Sequence, residues 1–226
     1  MINSIYAYAV LNIKSLLKDK ISFVWSILLP LIMFFINAEN IHNENEITYW
    51  WVYMILCSYI YGIGVYALEL KEEGSLRTIF SINNSSLTFF LGNLVTQVIF
   101  SCISIFLFDV VVILIKHFSI FTIILCSIKC IILCLPFAFL GYGLTLFSGC
   151  HVNTIRTIFT ILIFGMFMLI GVHSWINEYN PLCYISNYIM NSAENSIKSY
   201  ALFTLVSCIV GIVGIFHFNP NSNERR

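Results

Sequence analysis

Two adjacent glutamates, Glu72 and Glu73, stand shortly before Arg77, and two histidines, His151 and His173, follow later in the chain. A glutamate can act as a general base towards a water molecule, and a histidine can polarise that water or stabilise an oxyanion. Residues of these types would support hydrolysis of a bound substrate. The spacing argues against it, because the 22 residues from His151 to His173 extend to about 30 Å as a helix, whereas catalytic groups must come within hydrogen-bonding range.

Three cysteines, Cys126, Cys130 and Cys134, recur every four residues and would share one face of a helix. A metal ion needs deprotonated thiolates and usually a fourth ligand, and the neighbouring Lys129 would favour one thiolate. A thiol within an apolar run behaves as a small hydrophobe, and small residues at this spacing are typical of helix–helix contacts. We therefore predict packing at these cysteines and no metal site.

Motifs for nucleotide, metal and serine chemistry are missing from the sequence. It contains no G-x-x-x-x-G-K-[ST] phosphate loop, no dinucleotide fingerprint, no H-E-x-x-H helix and no G-x-S-x-G turn. The chain is therefore predicted to be no enzyme, to hydrolyse no ATP and to bind no cofactor by itself. Energy-driven work would require a partner or an ion gradient.

Composition places the elements around these residues in a membrane. Of the 226 residues, 59% are hydrophobic and 10% are charged, and the mean hydropathy is +0.90. A soluble domain has about 45–50% apolar and about 25% charged residues. The net charge of zero leaves no basic surface for nucleic acid. The sequence therefore predicts an integral membrane protein.

Six apolar runs approach or exceed the length of about 20 residues that crosses a hydrocarbon core. They cover residues 21–38, 50–70, 89–115, 118–147, 157–176 and 201–218. Pro30 and Pro136 interrupt the first and the fourth run. Residues 1–20 carry one apolar stripe at helical spacing, which predicts a helix lying in the membrane interface. The predicted fold is an all-α integral membrane protein, in which residues 1–226 form one transmembrane domain with six transmembrane helices.

Basic residues are unevenly distributed between the two sides of these spans. One side would carry eight cations, which are Lys14, Lys18, Lys20, Lys71, Arg77, Arg156, Arg225 and Arg226. The other side would carry Lys116 and Lys198 together with five glutamates. The positive-inside rule then predicts a multi-pass protein of the plasma membrane with both termini in the cytoplasm.

The loop between the second and third spans is the sharpest local feature on the predicted cytoplasmic side. Residues Glu69–Phe80 leave the membrane as a helix, pass clustered charges and Gly74, and resume with the apolar pair Ile79 and Phe80. One interpretation is a solvated turn that caps the second span. The other is a short amphipathic coupling helix that docks a cytoplasmic partner and transmits its motion.

Several short motifs follow one another in the order found in the membrane subunits of type-2 ABC exporters. They are Leu-Leu-Lys-Asp-Lys20, Leu-Leu-Pro30-Leu, Glu72-Glu73-Gly74-Ser75-Leu76-Arg77, Ser85-Ser86-Leu87 and Asn180-Pro181-Leu182. The chain therefore resembles a permease of this family, and in particular the small permeases of bacteriocin-immunity and drug-export systems. The resemblance covers essentially the whole chain.

The resemblance implies a complex in which ATP is bound by separate ABC ATPase subunits. A second permease, either a copy of this chain or a related one, would complete the path. The N-terminal helix would be the connecting helix, and Asn180–Asn191 would be the outer, partly re-entrant segment. The cargo would enter from membrane lipid and be an amphipathic bacteriocin-type peptide, a drug or a lipid. The ATPase-coupling element would consist of Glu72, Glu73, Gly74, Ser75, Leu76 and Arg77.

A second resemblance stays open beside the first. Glu72-Glu73-x-x-x-Arg77 is similar to the E-E-x-x-x-R motif of a family of intramembrane glutamate-type proteases. Two further patterns of that family occur in its order, as Phe147-x-x-x-His151 and His173-x-x-x-Asn177. The alternative to export is therefore proteolysis, against which the distance between the two histidines counts.

Two charges lie inside predicted spans, Asp109 in the third and Lys129 in the fourth. Ionisable residues within a span usually pair or face a cavity. The two spans join near His117 and run antiparallel, so the depths of the two residues differ by roughly 6 Å, which a lysine side chain can largely cover. We therefore predict an intramembrane ion pair between Asp109 and Lys129.

Overall fold

The computed structural model describes residues 2–18, 20–82, 85–147, 149–170, 175–191 and 194–219. Within these ranges the backbone is helical almost throughout and contains no strand, which confirms the predicted all-α class. A π-helical turn, Ile60–Val65, joins α3 to α4. The α-helices are α1 (Ile2–Lys18), α2 (Lys20–Asn37), α3 (Thr48–Tyr59), α4 (Tyr66–Glu72), α5 (Ser75–Ile82), α6 (Ser86–Lys116), α7 (Ile120–Leu133), α8 (Leu135–Gly143), α9 (Val152–Leu169), α10 (Pro181–Asn191) and α11 (Glu194–His217).

Five described stretches are long and apolar enough to cross a membrane, which identifies a membrane protein. They are Glu44–Glu72, Ser86–Lys116, Ile120–Leu146, Val152–Leu169 and Ile197–His217. These stretches correspond to the last five predicted spans. The first predicted span, 21–38, falls on α2, and the described apolar stretch there, Ile27–Asn40, runs past the end of α2 and is shorter than the other five. A sixth span therefore stays a prediction.

Contacts between chain-distant residues define the two ends of the helix bundle. At one end, which we call the α5 end, α5 lies beside α1, and α4 lies beside the start of α9. At the other end, which we call the α10 end, Tyr49 donates a hydrogen bond to Asn187 of α10. The second span, Glu44–Glu72, runs between the two ends and is the most buried of the five.

The longest helix, α6, is uninterrupted because its 31 residues include no proline and both of its ends are capped. The Ser85 side chain accepts a hydrogen bond from the amide of Thr88 at 3.2 Å. At the other end, His117 takes a φ of 55° and reverses the chain. The carboxylate of Glu44 then accepts the Ser119 amide at 2.7 Å, one residue before α7 begins. Helices α6 and α7 therefore form an antiparallel pair.

The N-terminal helix α1 packs along the first half of α6. Asn12 donates its side-chain amide to Asn93, and the Tyr66 hydroxyl donates to Asn12 at 3.2 Å. Gly92 permits a close approach, because a Cβ at that position would lie 2.6 Å from the Cβ of Tyr8. Side-chain hydrogen bonds of Asn12 attach α1 to the third span, and the lack of a side chain at Gly92 allows the two helices to come close.

The fourth predicted span is divided into α7 and α8 next to Pro136, as the proline led us to expect. The second part, α8, packs closely against α11. A Cβ at Gly211 would lie between 2.6 and 2.8 Å from the Cβ, carbonyl oxygen and Cα of Phe139, and a Cβ at Gly143 would lie 2.3 Å from Val210. Two glycines therefore allow these helices to touch backbone to backbone, as small residues do in membranes.

Replacing Gly211 by alanine is expected to destabilise the protein by about 1–3 kcal/mol, because the added methyl group overlaps the backbone of Phe139. The matched control is Gly165→Ala in α9, where a Cβ would meet nothing within 4 Å. Alanine also has the higher helix propensity, so the control should stay neutral or gain up to about 1 kcal/mol. Unfolding in mixed detergent micelles measures both changes. Equal effects at the two glycines would contradict the close α8–α11 contact.

Candidate coupling site at the α5 end

The predicted coupling element folds as a helix, a tight turn and a second helix. At the turn the Glu73 amide donates to the Glu69 carbonyl at 2.9 Å, and the Gly74 amide donates to the Lys71 carbonyl at 3.2 Å. Gly74 has a φ of 75°, a backbone conformation that side chains with a Cβ rarely adopt. Helix α5 then begins at Ser75. The glycine of the motif is therefore explained by the turn.

Helix α5 turns its apolar face inwards and its polar face outwards. Leu76 is fully buried, and the ring of Phe80 packs between Phe89 of α6 and Phe218, with centroids 5.8 and 5.7 Å away. Arg77, Thr78 and Ser81 are exposed on the other face. The placement of Leu76 differs from the sequence-based expectation of a docking contact, because its side chain fills the chain's own core.

Two carboxylates of α4 bind the beginning of α9. Glu72 Oε1 accepts the backbone amide of Val152 at 2.8 Å, and Nδ1 of His151 lies 3.9 Å from the same oxygen. One turn earlier, Glu69 forms an ion pair with Arg156. The first amides of a helix have no partner within it and carry a partial positive charge, so Glu72 supplies both a cap and a favourable charge.

The cap and the ion pair differ in strength. The side chains of Glu69 and Arg156 are 33% and 46% exposed, so their attraction is screened and contributes about 0–1 kcal/mol. A side-chain cap at a helix N-terminus contributes typically about 1 kcal/mol. Glu72 is therefore at least as important as the ion pair in holding α4 to α9. The sequence predicted that Glu72 faces a partner protein. It could not reveal the cap, because the Val152 amide that Glu72 accepts lies 80 residues further along the chain.

Helix α5 is also linked to α1. The hydroxyl of Tyr8 donates to the carbonyl of Ile79 at 3.5 Å, and its ring meets Phe89 edge to face at 6.1 Å. Burial raises the pKa of Tyr8, so the phenol stays protonated and remains a donor. The sequence did not single out Tyr8, which is not among the residues of the predicted apolar stripe on α1. We call residues 69–81, the start of α9 and Tyr8 together the coupling site.

The described residues of the protease interpretation do not come together. His151 lies beside Glu72, but Asn177 donates its side-chain amide to the carbonyl of Leu169, at the far end of α9. The 18 residues of α9 span about 27 Å at about 1.5 Å per residue. His173 lies outside the described residues. Glu72 also has a backbone amide as partner, so the geometry does not favour this alternative.

The predicted ion pair between Asp109 and Lys129 is not formed. Asp109 is 5% exposed, and its carboxylate accepts a 2.7 Å hydrogen bond from the indole of Trp51, with Ser127 of α7 close by. Lys129 is exposed, and no ion pair connects it to Asp109 in the part of the chain that the structure describes. The pair fails because Ser127 and Cys130 occupy the inward side of α7, whereas Lys129 lies on the other side.

The three cysteines, Cys126 and Cys130 of α7 and Cys134 directly after it, take the packing role expected of them. Cys130 and Cys134 are buried and Cys126 is half-buried, and all three are free thiols. Among the described residues no group of three or more His, Cys, Asp or Glu side chains is arranged to hold a metal ion.

The chain is similar to one curated protein along nearly its whole length. Protein McbE of Escherichia coli is 23% identical over an alignment of 235 residues, gaps included, and the match spans 93% of this chain and 94% of that protein. No protein-family model matches the sequence. No solved structure matches it either.

Replacing Glu72 by alanine should lower the melting temperature in detergent by about 2–4 °C, because the Val152 amide loses its cap at a cost of about 1 kcal/mol. The neighbouring Glu73 is exposed, which makes Glu73→Ala the matched control with a change of less than about 0.5 kcal/mol. A larger loss from Glu73→Ala than from Glu72→Ala would refute the cap.

A double-mutant cycle with Trp51→Phe and Asp109→Leu should give a coupling free energy of about 1–3 kcal/mol, the range for a buried hydrogen bond to a polar or charged acceptor. Lys129→Met should change the free energy of unfolding by less than about 0.5 kcal/mol, because its side chain is exposed. Titration with denaturing detergent measures all four variants. A loss of stability from Lys129→Met as large as that from Trp51→Phe would contradict this assignment and favour the predicted ion pair.

Proposed function

We propose that this chain is the membrane-spanning permease subunit of an ATP-driven ABC exporter of the type-2 class. The carrying observation is the amphipathic helix α5, which follows the second span, is fixed inwards by Leu76 and Phe80, and exposes Arg77 and Thr78. Separate ABC ATPase subunits bind ATP and dock on this exposed face. The permease itself binds no nucleotide and catalyses no reaction.

The proposed complex sits in the plasma membrane with the α5 end in the cytoplasm. Helix α2 acts as the first of six spans, so that the N- and C-termini are on one side. The excess of cations on that side favours this orientation. A second permease, identical or related, completes the transport path. The full-length similarity to Protein McbE supports treating the whole chain as one subunit.

Motion of the ATPases would reach the spans through the coupling site. A force on α5 acts on α6 and α1 through Phe80 and Tyr8, whose ring contacts and hydrogen bond attach these three helices. The same force acts on α9 through the carboxylates of α4, Glu69 and Glu72. Docking on one short helix can thus change the packing of three longer ones.

The proposed cargo is amphipathic and enters from the membrane. The described loop at the α10 end before the second span is short, and no separate folded domain interrupts the described residues there. An exporter of this shape suits a bacteriocin-type peptide, with a drug or a lipid as the other candidates. This choice rests on the resemblance to small immunity permeases.

Charge reversal on the exposed face of α5 should abolish co-purification with the proposed ABC ATPase subunits. Arg77→Glu combined with Thr78→Glu changes that face without touching the buried Leu76, so the permease should still fold and insert. Glu39→Arg, an exposed reversal at the α10 end, is the control and should retain the ATPase. Unchanged ATPase binding by the α5 variant, or the lack of any such ATPase, would refute the proposal.

Leu76→Asp is expected to behave differently from these surface variants. It places a charge in the core, where an unpaired polar group costs several kcal/mol, so the yield of folded permease should fall at least several-fold. Size-exclusion chromatography after solubilisation measures that yield. Normal folding of this variant together with a selective loss of ATPase binding would contradict the core role of Leu76 and show that it contacts the ATPase.

A further inference from the structure

The second span contains an irregular turn halfway along its length. Residues Ile60–Val65 are π-helical, and the amide of Tyr66 donates to the carbonyls of Tyr61 and Ile63. In a regular α-helix the Tyr66 amide would bind the carbonyl four residues back, which is that of Gly62. The π turn therefore takes the backbone donor away from the Gly62 carbonyl. Single π turns within α-helices are frequently found at functional sites.

A side chain of α6 replaces the missing donor. Gln97 is 4% exposed, and its Nε2 donates to the carbonyl of Gly62 at 3.3 Å while its Oε1 accepts from the hydroxyl of Ser58 at 2.9 Å. The amide lies directly on the helix backbone, since a Cβ at Gly62 would be 2.1 Å from Cδ of Gln97. Both ends of the Gln97 amide are thus used by the irregular part of the span.

The Gly62 carbonyl consequently has two alternative donors. One is Gln97 Nε2, with the span in its π form, and the other is the Tyr66 amide, with the span rewound into an α-helix. An unsatisfied carbonyl inside a membrane costs several kcal/mol, so neither donor can leave unless the other replaces it. The second span can therefore adopt either the π form or the α-helical form, with no stable intermediate between them.

Rewinding would turn the two halves of the second span against each other. Loss of a π turn shifts the register by one residue, which corresponds to about 100° of rotation in a helix of 3.6 residues per turn. Helix α4 follows the turn and carries Glu69 and Glu72. The rotation would remove both carboxylates from the start of α9, to which they are bound in the present form.

We propose that the π turn Ile60–Val65 is a two-state switch, held by the Gln97 amide, and that its rewinding rotates α4 and releases α9. The proposal deepens the proposed export function, because it names the element inside the membrane that responds to the coupling site. In the present structure the span is in the π form and α4 is bound to α9.

Distances between two spin labels, measured by double electron–electron resonance on the full chain in lipid nanodiscs, test the switch. Spin labels are attached to cysteines at Glu73 and Asn153, which are exposed on α4–α5 and α9, after the eight native cysteines are replaced by serine or alanine. The parent should give one main distance. Gln97→Leu should displace it by up to about 8 Å, because a side-chain tip 5–6 Å from the helix axis moves that far in a 100° rotation.

Two further variants separate a switch from ordinary packing. Gly62→Ala should cause the same displacement, because its methyl group occupies the position of the Gln97 amide. Ser58→Ala is the matched control, since it leaves the bond from Gln97 to Gly62 in place, and should retain the parent distance. Should Gln97→Leu fail to fold, Gln97→Met offers a longer apolar side chain for the same measurement.

An unchanged distance in folded Gln97→Leu or Gln97→Met and in Gly62→Ala would overturn the switch and leave Gln97 with a packing role. A displacement that Ser58→Ala shares equally would also overturn it, because the bond to Gly62 would then not be the cause. The measurement uses the chain without any ATPase. Failure of the switch therefore leaves the docking experiment standing, and failure of docking leaves the switch.

Discussion

Every backbone amide and carbonyl within a membrane must find a partner inside the protein, and this requirement organises the chain-distant contacts of the structure. At five points where a helix begins, ends or changes its winding, a polar side chain from elsewhere in the chain supplies the partner. The backbone amides of Ser119 and Val152 donate to the side chains of Glu44 and Glu72. The backbone carbonyls of Met166, Leu169 and Gly62 accept from the side chains of Asn180, Asn177 and Gln97. The irregular points of the backbone are therefore the points at which segments are tied together.

Close backbone contacts provide the second means of attachment. Lipid is as apolar as leucine, so burial of apolar side chains gives little net attraction between spans, and small residues that permit short distances become important. Gly211 lies against Phe139 in this way, and Gly64 against Gly141, whose carbonyl oxygen would be 2.0 Å from a Cβ at Gly64. Helix α8, after the break at Pro136, thus contacts both the second span and α11.

The sequence alone predicted the features that depend on local hydropathy. It did not predict side-chain partners that depend on how a helix is rotated about its own axis. The last five spans and the break near Pro136 follow from runs of apolar residues and from the missing amide of proline. The partner of Asp109 does not, because the depth of a residue can be counted along a helix, whereas its angular position depends on packing that involves Trp51 from another span. Likewise, an amphipathic stretch predicted α5 without revealing that Leu76 faces the chain's own core.

The relative strengths of the attachments indicate which helix is free to move. Full burial of a large apolar side chain contributes about 1.5–3 kcal/mol against water, so Leu76 and Phe80 fix α5 more firmly than Glu69 and Glu72 fix α9. Only 17% of the apolar stretch of α9 is buried, compared with 72% of the second span. The single glycine of α9, Gly165, faces open space instead of another backbone. The contacts between α4 and α9 are therefore the weakest of those around α5, so that a force on α5 would separate α4 from α9 before it separated α5 from α1 or α6.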